Sequence, residues 1–77
     1  MRHRLLDTVV LMHDLPEHRL KAGDLGAVVE RHEPDGLEVE FVTGDGATQA
    51  LVTLRESEVR PVEADEVIAV RRLRPTG

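Results

Sequence analysis

LGAVVERHEPDGLEVEFVTGDGATQALVTL, residues 25–54, is the stretch that determines the fold class of this 77-residue chain. Its segment LEVEFV, residues 37–42, alternates apolar and mostly acidic side chains, which is the period of two expected of a half-buried strand. Pro34-Asp35-Gly36 before this segment and Asp45-Gly46 after it are typical hairpin turn sequences. The stretch therefore predicts three consecutive antiparallel strands, at residues 25–32, 37–42 and 47–54.

The two turns also predict which side chains face the core. A three-residue loop at 34–36 places Val29 opposite Phe41, and a two-residue turn at 45–46 places Phe41 opposite Ala50. Both registers put one apolar set on the inner face of the sheet: Val29, Leu37, Val39, Phe41, Ala50, Val52 and Leu54. A shift of one residue in either hairpin would turn a neighbouring apolar set towards water, so the two predictions support each other.

The segments on either side of this meander complete the predicted architecture. Residues 8–13 and 59–62 are predicted strands, residues 14–24 form an irregular loop, and residues 55–58 form a short 3-10 turn. This order predicts an all-β, SH3-like barrel of five to six strands, although an OB-like barrel shares parts of the pattern. The barrel covers residues 6–62 of a single domain spanning 1–77. Residues 63–77 fit an extra strand, a tail or, by the spacing of their apolar residues, a helix.

Composition excludes several classes of function. Residues 5–70 hold fifteen acidic and five basic residues, a formal charge of −10, which repels nucleic acid. Phe41 is the sole aromatic residue, so neither base stacking nor recognition of proline-rich peptides is expected. The chain has no cysteine and no apolar run long enough for a membrane span or a signal peptide. We therefore expect a cytoplasmic protein that does not bind membranes.

No arrangement of residues predicts catalysis. The four histidines are too scattered for a metal motif, and Asp14, Glu17 and His18 fit ordinary loop surface better than an acid–base cluster. No hydroxyl group lies in a glycine-flanked nucleophile elbow. The sequence thus predicts no enzyme activity, no catalytic residues, no cofactor and no metal.

Two surface features remain as candidates for binding. The predicted registers point Glu30, Glu38 and Glu40 outward, with Glu30 opposite Glu40, where facing like charges destabilise a sheet slightly. A set of apolar side chains is predicted on the face opposite the core: Val10, Met12, Val28, Val42 and Leu51. The segment around residues 67–70 or a second subunit would cover this set. The predicted protein-binding residues are Glu30, Glu38, Glu40, Val28, Val42 and Leu51.

Long segments of the chain also resemble a known family. The segments are LLDTVVL at 5–11, DLPEH at 14–18, LKAGDLGAVVE at 20–30, EVEFV at 38–42, ALVTL at 50–54 and VRPV at 59–62. Together they resemble the small bacterial family of unknown function DUF4926 over roughly residues 5–62. The resemblance implies an SH3-like barrel and supplies no catalytic residues. Because members are typically encoded beside other small genes, some of them toxin-like, it also suggests an antitoxin or immunity role.

The leading functional prediction is a non-enzymatic protein-interaction module whose partner is unidentified. The first alternative is a structural or accessory subunit that forms a homodimer through residues 64–73. A more distant alternative is a KOW-like nucleic-acid-associated barrel, suggested by Gly23-Asp24-Leu25-Gly26.

Overall fold

The structure is a computed structural model that describes residues 3–44, 46–68 and 71–72. Its five strands are β1 (Thr8–Leu11), β2 (Leu25–His32), β3 (Gly36–Val42), β4 (Thr48–Arg55) and β5 (Val59–Pro61). They form one antiparallel sheet in the order β4-β3-β2-β1-β5, with 3-10 turns at Pro16–His18 and Glu56–Glu58. The predicted all-β class and the short 3-10 turn before the last strand are confirmed.

The sheet is open, so the expectation of a closed barrel was wrong. Among the described residues β4 and β5 are the two edges, and neither pairs with the other. β5 has three residues, pairs with β1 and ends at Pro61, which has no N–H to donate to a further strand. β2 joins the two halves of the sheet, because Ala27 pairs with Thr8 of β1 and also with Glu40 of β3.

The predicted pairing between β3 and β4 is confirmed. Phe41 pairs with Ala50, Val39 with Val52 and Leu37 with Leu54. The connection is nevertheless longer than a two-residue turn, because Val42 pairs with Thr48 and the Thr43 N–H donates to the Ala47 carbonyl. A register shift between Phe41 and Val42 compensates for the longer connection. Gly46 has φ +87°, which favours glycine, while Asp45 of the predicted turn lies outside the described residues.

The predicted pairing between β2 and β3 was wrong. The closing pair is His32 with Gly36, so the loop is Glu33-Pro34-Asp35, one residue earlier than expected. Gly36 belongs to β3 and does not have the positive φ of a glycine bulge. A register shift between Val28 and Glu30 adds a second difference, because it leaves Val29 without a partner in the ladder.

The core consists of side chains from the inner faces of the strands and from the loop between β1 and β2. Its members are Val9, Leu11, Leu15, Leu20, Val28, Leu37, Val39, Phe41, Ala50, Val52, Leu54 and Val59. The bulge in β2 places Val28 in this core, fully buried, while Val29 is half-buried, which reverses the prediction for both residues. Leu15 and Leu20 join the core because their backbones pair with each other across the loop.

Two ion pairs fasten a C-terminal strap, defined here as residues 62–68 and 71–72, onto the sheet. Arg60 of β5 donates to both carboxylate oxygens of Glu66, at 2.6 and 2.7 Å. These hydrogen bonds, together with one from the Glu63 N–H, lower the pKa of Glu66 to about 2. Arg71 binds both carboxylate oxygens of Asp24, at 2.8 and 2.6 Å, just before β2 begins. The strap is therefore attached at two points, to β5 and to the start of β2, which lie on either side of β1 in the sheet.

One residue of the apolar set predicted on the outer face, Val10, is buried. Val10 pairs with Arg60 on one side and Leu25 on the other, so it lies between the two anchor points of the strap. Its side chain is only 6% exposed although it faces away from Val9 and Leu11. The described strap residues form neither a strand nor a helix. Residues 69 and 70 of the extra strand predicted at 67–70, and residue 73 of the segment 64–73 predicted to form a homodimer, lie outside the described part.

Gly26→Ala tests the packing of β2 against β3. A Cβ at position 26 would lie 2.5 Å from Val39 Cγ1 and 2.9 Å from Phe41 Cε1, and both neighbours are too tightly buried to move. We expect a loss of about 1–3 kcal/mol in the free energy of unfolding, measured by urea denaturation. Gly44→Ala is the matched control, because nothing lies within 4 Å of its added Cβ. Equal urea midpoints for the two variants would contradict this packing.

Arg71→Gln tests the anchor of the strap, with Arg72→Gln as the neighbouring control. Burial raises the pKa of Asp24, but hydrogen bonds from Arg71 and the Lys21 N–H outweigh it and hold the pKa below 3.8. We expect Arg71→Gln to lower the free energy of unfolding by about 0.5–1 kcal/mol at neutral pH. Arg72 has no ion pair among the described residues, so its variant should match the wild type.

The pH dependence of this difference follows from the lowered pKa of Asp24. The stabilisation is complete above the ordinary value of 3.8 and is lost as the pH falls through the folded-state pKa. The urea midpoints of Arg71→Gln and the wild type should therefore converge as the pH is lowered below 3.8. A difference that stays constant as the pH is lowered to the acid limit of folding would contradict the assignment of the effect to this ion pair.

Candidate protein-binding face

The outer face of β2, β3 and β4 carries the candidate site, which we call the acidic face: Glu30, Glu38, Glu40, Val42 and Leu51. The alternation along β3 explains its composition, since Leu37, Val39 and Phe41 are buried and the residues between them point the other way. The structure therefore brings together five of the six predicted binding residues. Val28, the sixth, is fully buried in the core and does not belong to the site.

Two of the glutamates face each other directly. Glu30 of β2 pairs with Glu38 of β3, whereas Glu40 lies opposite Ala27. The prediction that Glu30 faces Glu40 was therefore wrong, for the same reason as the register of the hairpin. Side chains directly opposite in an antiparallel pair have Cβ atoms about 4.5–5.5 Å apart, so two carboxylates at such positions repel each other.

The contacts of the three carboxylates leave their charge uncompensated by Lys or Arg. Glu38 Oε1 lies 3.5 Å from His32 Nε2, and Glu40 Oε2 accepts a 3.1 Å hydrogen bond from the Thr48 hydroxyl. Glu30 Oε1 accepts the backbone N–H of Arg31 at 2.9 Å. Within the described residues no Lys or Arg side chain forms an ion pair with any of them. The face can therefore attract a cationic group from another molecule.

The apolar part of the acidic face is small and adjacent to Glu40. Val42 is 54% exposed and Leu51, which pairs with Glu40 across the ladder, is 56% exposed. Met12 is also exposed, but it follows β1, which β2 separates from β3 and β4. The predicted outer apolar set thus divides into buried Val10 and Val28, the distant Met12, and the Val42–Leu51 pair within the site.

The loop residues considered for acid–base chemistry have separate structural contacts. Asp14 Oδ1 accepts a 2.9 Å hydrogen bond from the Ala22 N–H, and the His18 carbonyl oxygen accepts a 3.1 Å hydrogen bond from Gln49 Nε2. His13 Nε2 lies 2.9 Å from Glu58 Oε1 and joins the end of β1 to the second 3-10 turn. The Arg55 N–H donates to Glu58 and, despite partial burial and with help from His13, lowers the pKa of Glu58 below 4.5. These contacts close loops.

His3 is a buried residue that sequence reasoning missed. It is 3% exposed, and its carbonyl oxygen accepts a 3.3 Å hydrogen bond from Arg31 Nη1. Its Nε2 has no hydrogen-bond partner among the described residues. In the part of the chain that the structure describes, no group of three or more His, Cys, Asp or Glu side chains could hold a metal ion. No helix formed by the described residues is long and apolar enough to cross a membrane.

Comparison with known proteins identifies a family and nothing beyond it. A family model described as a domain of unknown function, DUF4926, matches residues 5–61 of the chain. No curated protein and no solved structure matches. The matched range begins just before β1 and ends at the last residue of β5, so it includes all five strands of the sheet and the entire acidic face.

Glu30→Gln tests the repulsion on the acidic face. Glutamine removes one of two facing charges and keeps an acceptor for the Arg31 N–H, so we expect the free energy of unfolding to rise by about 0.2–1 kcal/mol. The gain should shrink at high salt, because screening weakens the repulsion in the wild type. Glu40→Gln is the control, since Glu40 faces Ala27 and accepts a hydrogen bond from Thr48. Urea midpoints at low and high salt measure both variants, and a loss of stability in Glu30→Gln would refute the repulsion.

Proposed function

The chain belongs to the DUF4926 family, a family of unknown function, and from that premise we propose that it is a non-enzymatic protein-interaction module. The binding site in this proposal is the acidic face. The partner is a protein with a basic surface that also presents an apolar side chain. The family match covers the residues of the site but carries no activity, so the proposal depends on the geometry of those residues.

The observation that supports the proposal is the facing pair Glu30 and Glu38. An arrangement that destabilises the isolated sheet is relieved when a cation lies between the two carboxylates. Within the described residues the chain supplies only His32, at 3.5 Å from one of them, and no Lys or Arg. A guanidinium or ammonium group from a partner would supply the missing charge and form charge-assisted hydrogen bonds.

Three acidic side chains elsewhere on the molecule give a contrast. Asp24 and Glu66 are each bound by both nitrogens of an arginine fork, and Glu58 accepts a backbone N–H and contacts His13. Arginine residues of this chain thus neutralise carboxylates at the strap and leave those of the acidic face open. Leu51 and Val42 beside the carboxylates provide the apolar area that a protein interface needs at its centre.

One version of this function is that of an antitoxin or immunity protein. The partner would be a toxin or another enzyme whose basic site the acidic face neutralises. Electrostatic complementarity of this kind mainly raises the association rate and selects the partner. The apolar side chains of Val42 and Leu51 would slow dissociation of the complex.

A second candidate function is that of an accessory subunit that oligomerises through residues 64–73. The exposure of Val67 (90%) and Ile68 (61%) on the strap favours it, because two adjacent exposed apolar side chains can pack against a second molecule. Deleting residues 64–77 and measuring the mass of the protein in solution tests this candidate. An unchanged assembly state contradicts it.

The acidic face itself can be tested with a defined probe before any partner is known. A short peptide that alternates arginine and leucine should shift the backbone amide resonances of β2, β3 and β4, and a glutamate–leucine peptide should not. We expect Glu38→Lys/Glu40→Lys to weaken binding of the basic peptide at least about tenfold. Glu17→Lys/Asp65→Lys, which makes the same change of net charge away from the face, is the control. Equal weakening by both double variants would show that net charge alone accounts for the loss of peptide binding, and it would overturn the proposal.

The same pair of variants tests the role of the face in the association rate. For a protein captured from native extract and then purified, Glu38→Lys/Glu40→Lys should slow association and reduce its dependence on salt. The control double variant should retain most of the wild-type rate and salt dependence. Association rates that are equal for the first variant and the wild type at every ionic strength would eliminate the acidic face as the binding site.

A further inference from the structure

The outer edge of β4 is open along most of its length. β4 is an eight-residue strand at the edge of the sheet, and among the described residues it pairs with β3 alone. The loop between β1 and β2 reaches its beginning, where Gln49 Nε2 donates to the His18 carbonyl. From Ala50 to Leu54, the backbone N–H and C=O groups that point away from β3 have no described partner, whereas the Arg55 N–H at the end of the strand donates to Glu58.

This edge lacks the features that normally prevent two sheets from joining. Edge strands are usually protected by short length, proline, or inward-pointing charges. The opposite edge, β5, has three residues and ends at Pro61. β4 has neither protection, and its sequence TQALVTLR contains no charged residue before Arg55. The asymmetry between the two edges indicates that the edge at β4 is kept available for pairing.

We propose that a second copy of this chain adds to the edge of β4 as an antiparallel strand, with Val52 at the two-fold axis. Two identical antiparallel strands pair through the same residues, so a dimer of this kind closes and does not extend into a fibre. Each β3–β4 unit then belongs to one continuous sheet of ten strands, twice the five of one chain. The acidic faces of the two copies lie on the same side of that sheet.

The side chains of β4 suit this register. With Val52 at the axis, Leu51 of each copy lies opposite Thr53 of the other, and the two Leu51 side chains become diagonal neighbours that remove each other from water. Arg55 of one copy lies opposite Gln49 of the other, beside Thr48. Because the Thr48 hydroxyl binds Glu40 Oε2 at 3.1 Å, the Glu40 carboxylate is held close to where that guanidinium arrives. Arg55 has no ion pair among the described residues of its own chain, so it is available for this contact.

The small contact area predicts a weak dimer. A short strand pair with one leucine per copy buries less than the ~1,600 Å² of a standard stable interface. We therefore expect association at about 10–500 µM protein and a monomer below that range. This inference does not depend on the proposed function, because it requires no second protein.

Analytical ultracentrifugation of the full chain over about 5 µM to 2 mM is the test. The mass of the wild type should rise from 8.6 kDa towards twice that value. Leu51→Lys places two ammonium groups side by side at the axis and should weaken dimerisation at least tenfold. Met12→Lys makes the same change at a side chain of similar exposure, 54%, beyond the end of β1 and away from the edge, and should leave the dissociation constant within about twofold. Thr53→Lys repeats the test at a second position on the edge, and far-UV circular dichroism confirms that each variant is folded.

A charge exchange tests the register. Arg55→Glu should weaken the dimer, and Glu40→Arg combined with Arg55→Glu should restore it, which a loss of folding would not do. A wild type that remains at 8.6 kDa throughout overturns the proposal. A dimer that survives both Leu51→Lys and Thr53→Lys also overturns it, because its interface would then lie elsewhere, as at residues 64–73.

Discussion

The close approach of β2 to β3 at Gly26 is the constraint on which the rest of the structure depends. β2 is the strand that pairs with both β1 and β3, so its position sets the relation between the two halves of the sheet. Val39 and Phe41 occupy the space where a Cβ of residue 26 would lie. Glycine at this point allows the two most central side chains of β3 to pack directly on the backbone of β2. The sheet can then curve around a core that has a single aromatic residue.

The bulge in β2, three residues further along, helps to form the acidic face. Without the unpaired Val29, the strand could not place Val28 in the core and still direct Glu30 to the outer face opposite Glu38. Bulges often re-aim a side chain in this way. The acidic face therefore derives from the backbone of β2 as much as from the alternation along β3, and a facing pair of carboxylates is its direct result.

Charge is distributed over the molecule in two ways. At the strap, arginine forks bind Glu66 and Asp24, so those acids hold the chain together. On the acidic face, the carboxylates have only hydroxyl, backbone and histidine neighbours among the described residues. Acidic side chains thus form ion pairs with arginine in one region and have no Lys or Arg partner among the described residues in the other. The open edge of β4 borders the second region, so strand pairing there would enlarge the acidic surface without covering it.

The sequence by itself determined the strands of the meander, the β3–β4 register, the core residues of β3 and β4, and the outward direction of Glu38 and Glu40. It could do so because alternation along a strand is a local property, visible in six consecutive residues of β3. Tertiary structure alone decided that Val28 replaces Val29 in the core and that Glu30 faces Glu38. It also decided that the sheet stays open and that Arg71 reaches Asp24 across 47 residues of sequence. A bulge forms where two neighbouring strands together favour one extra residue, and a distant ion pair forms where the path of the chain brings two charges together. Neither condition can be predicted from the residues on one side of the contact alone.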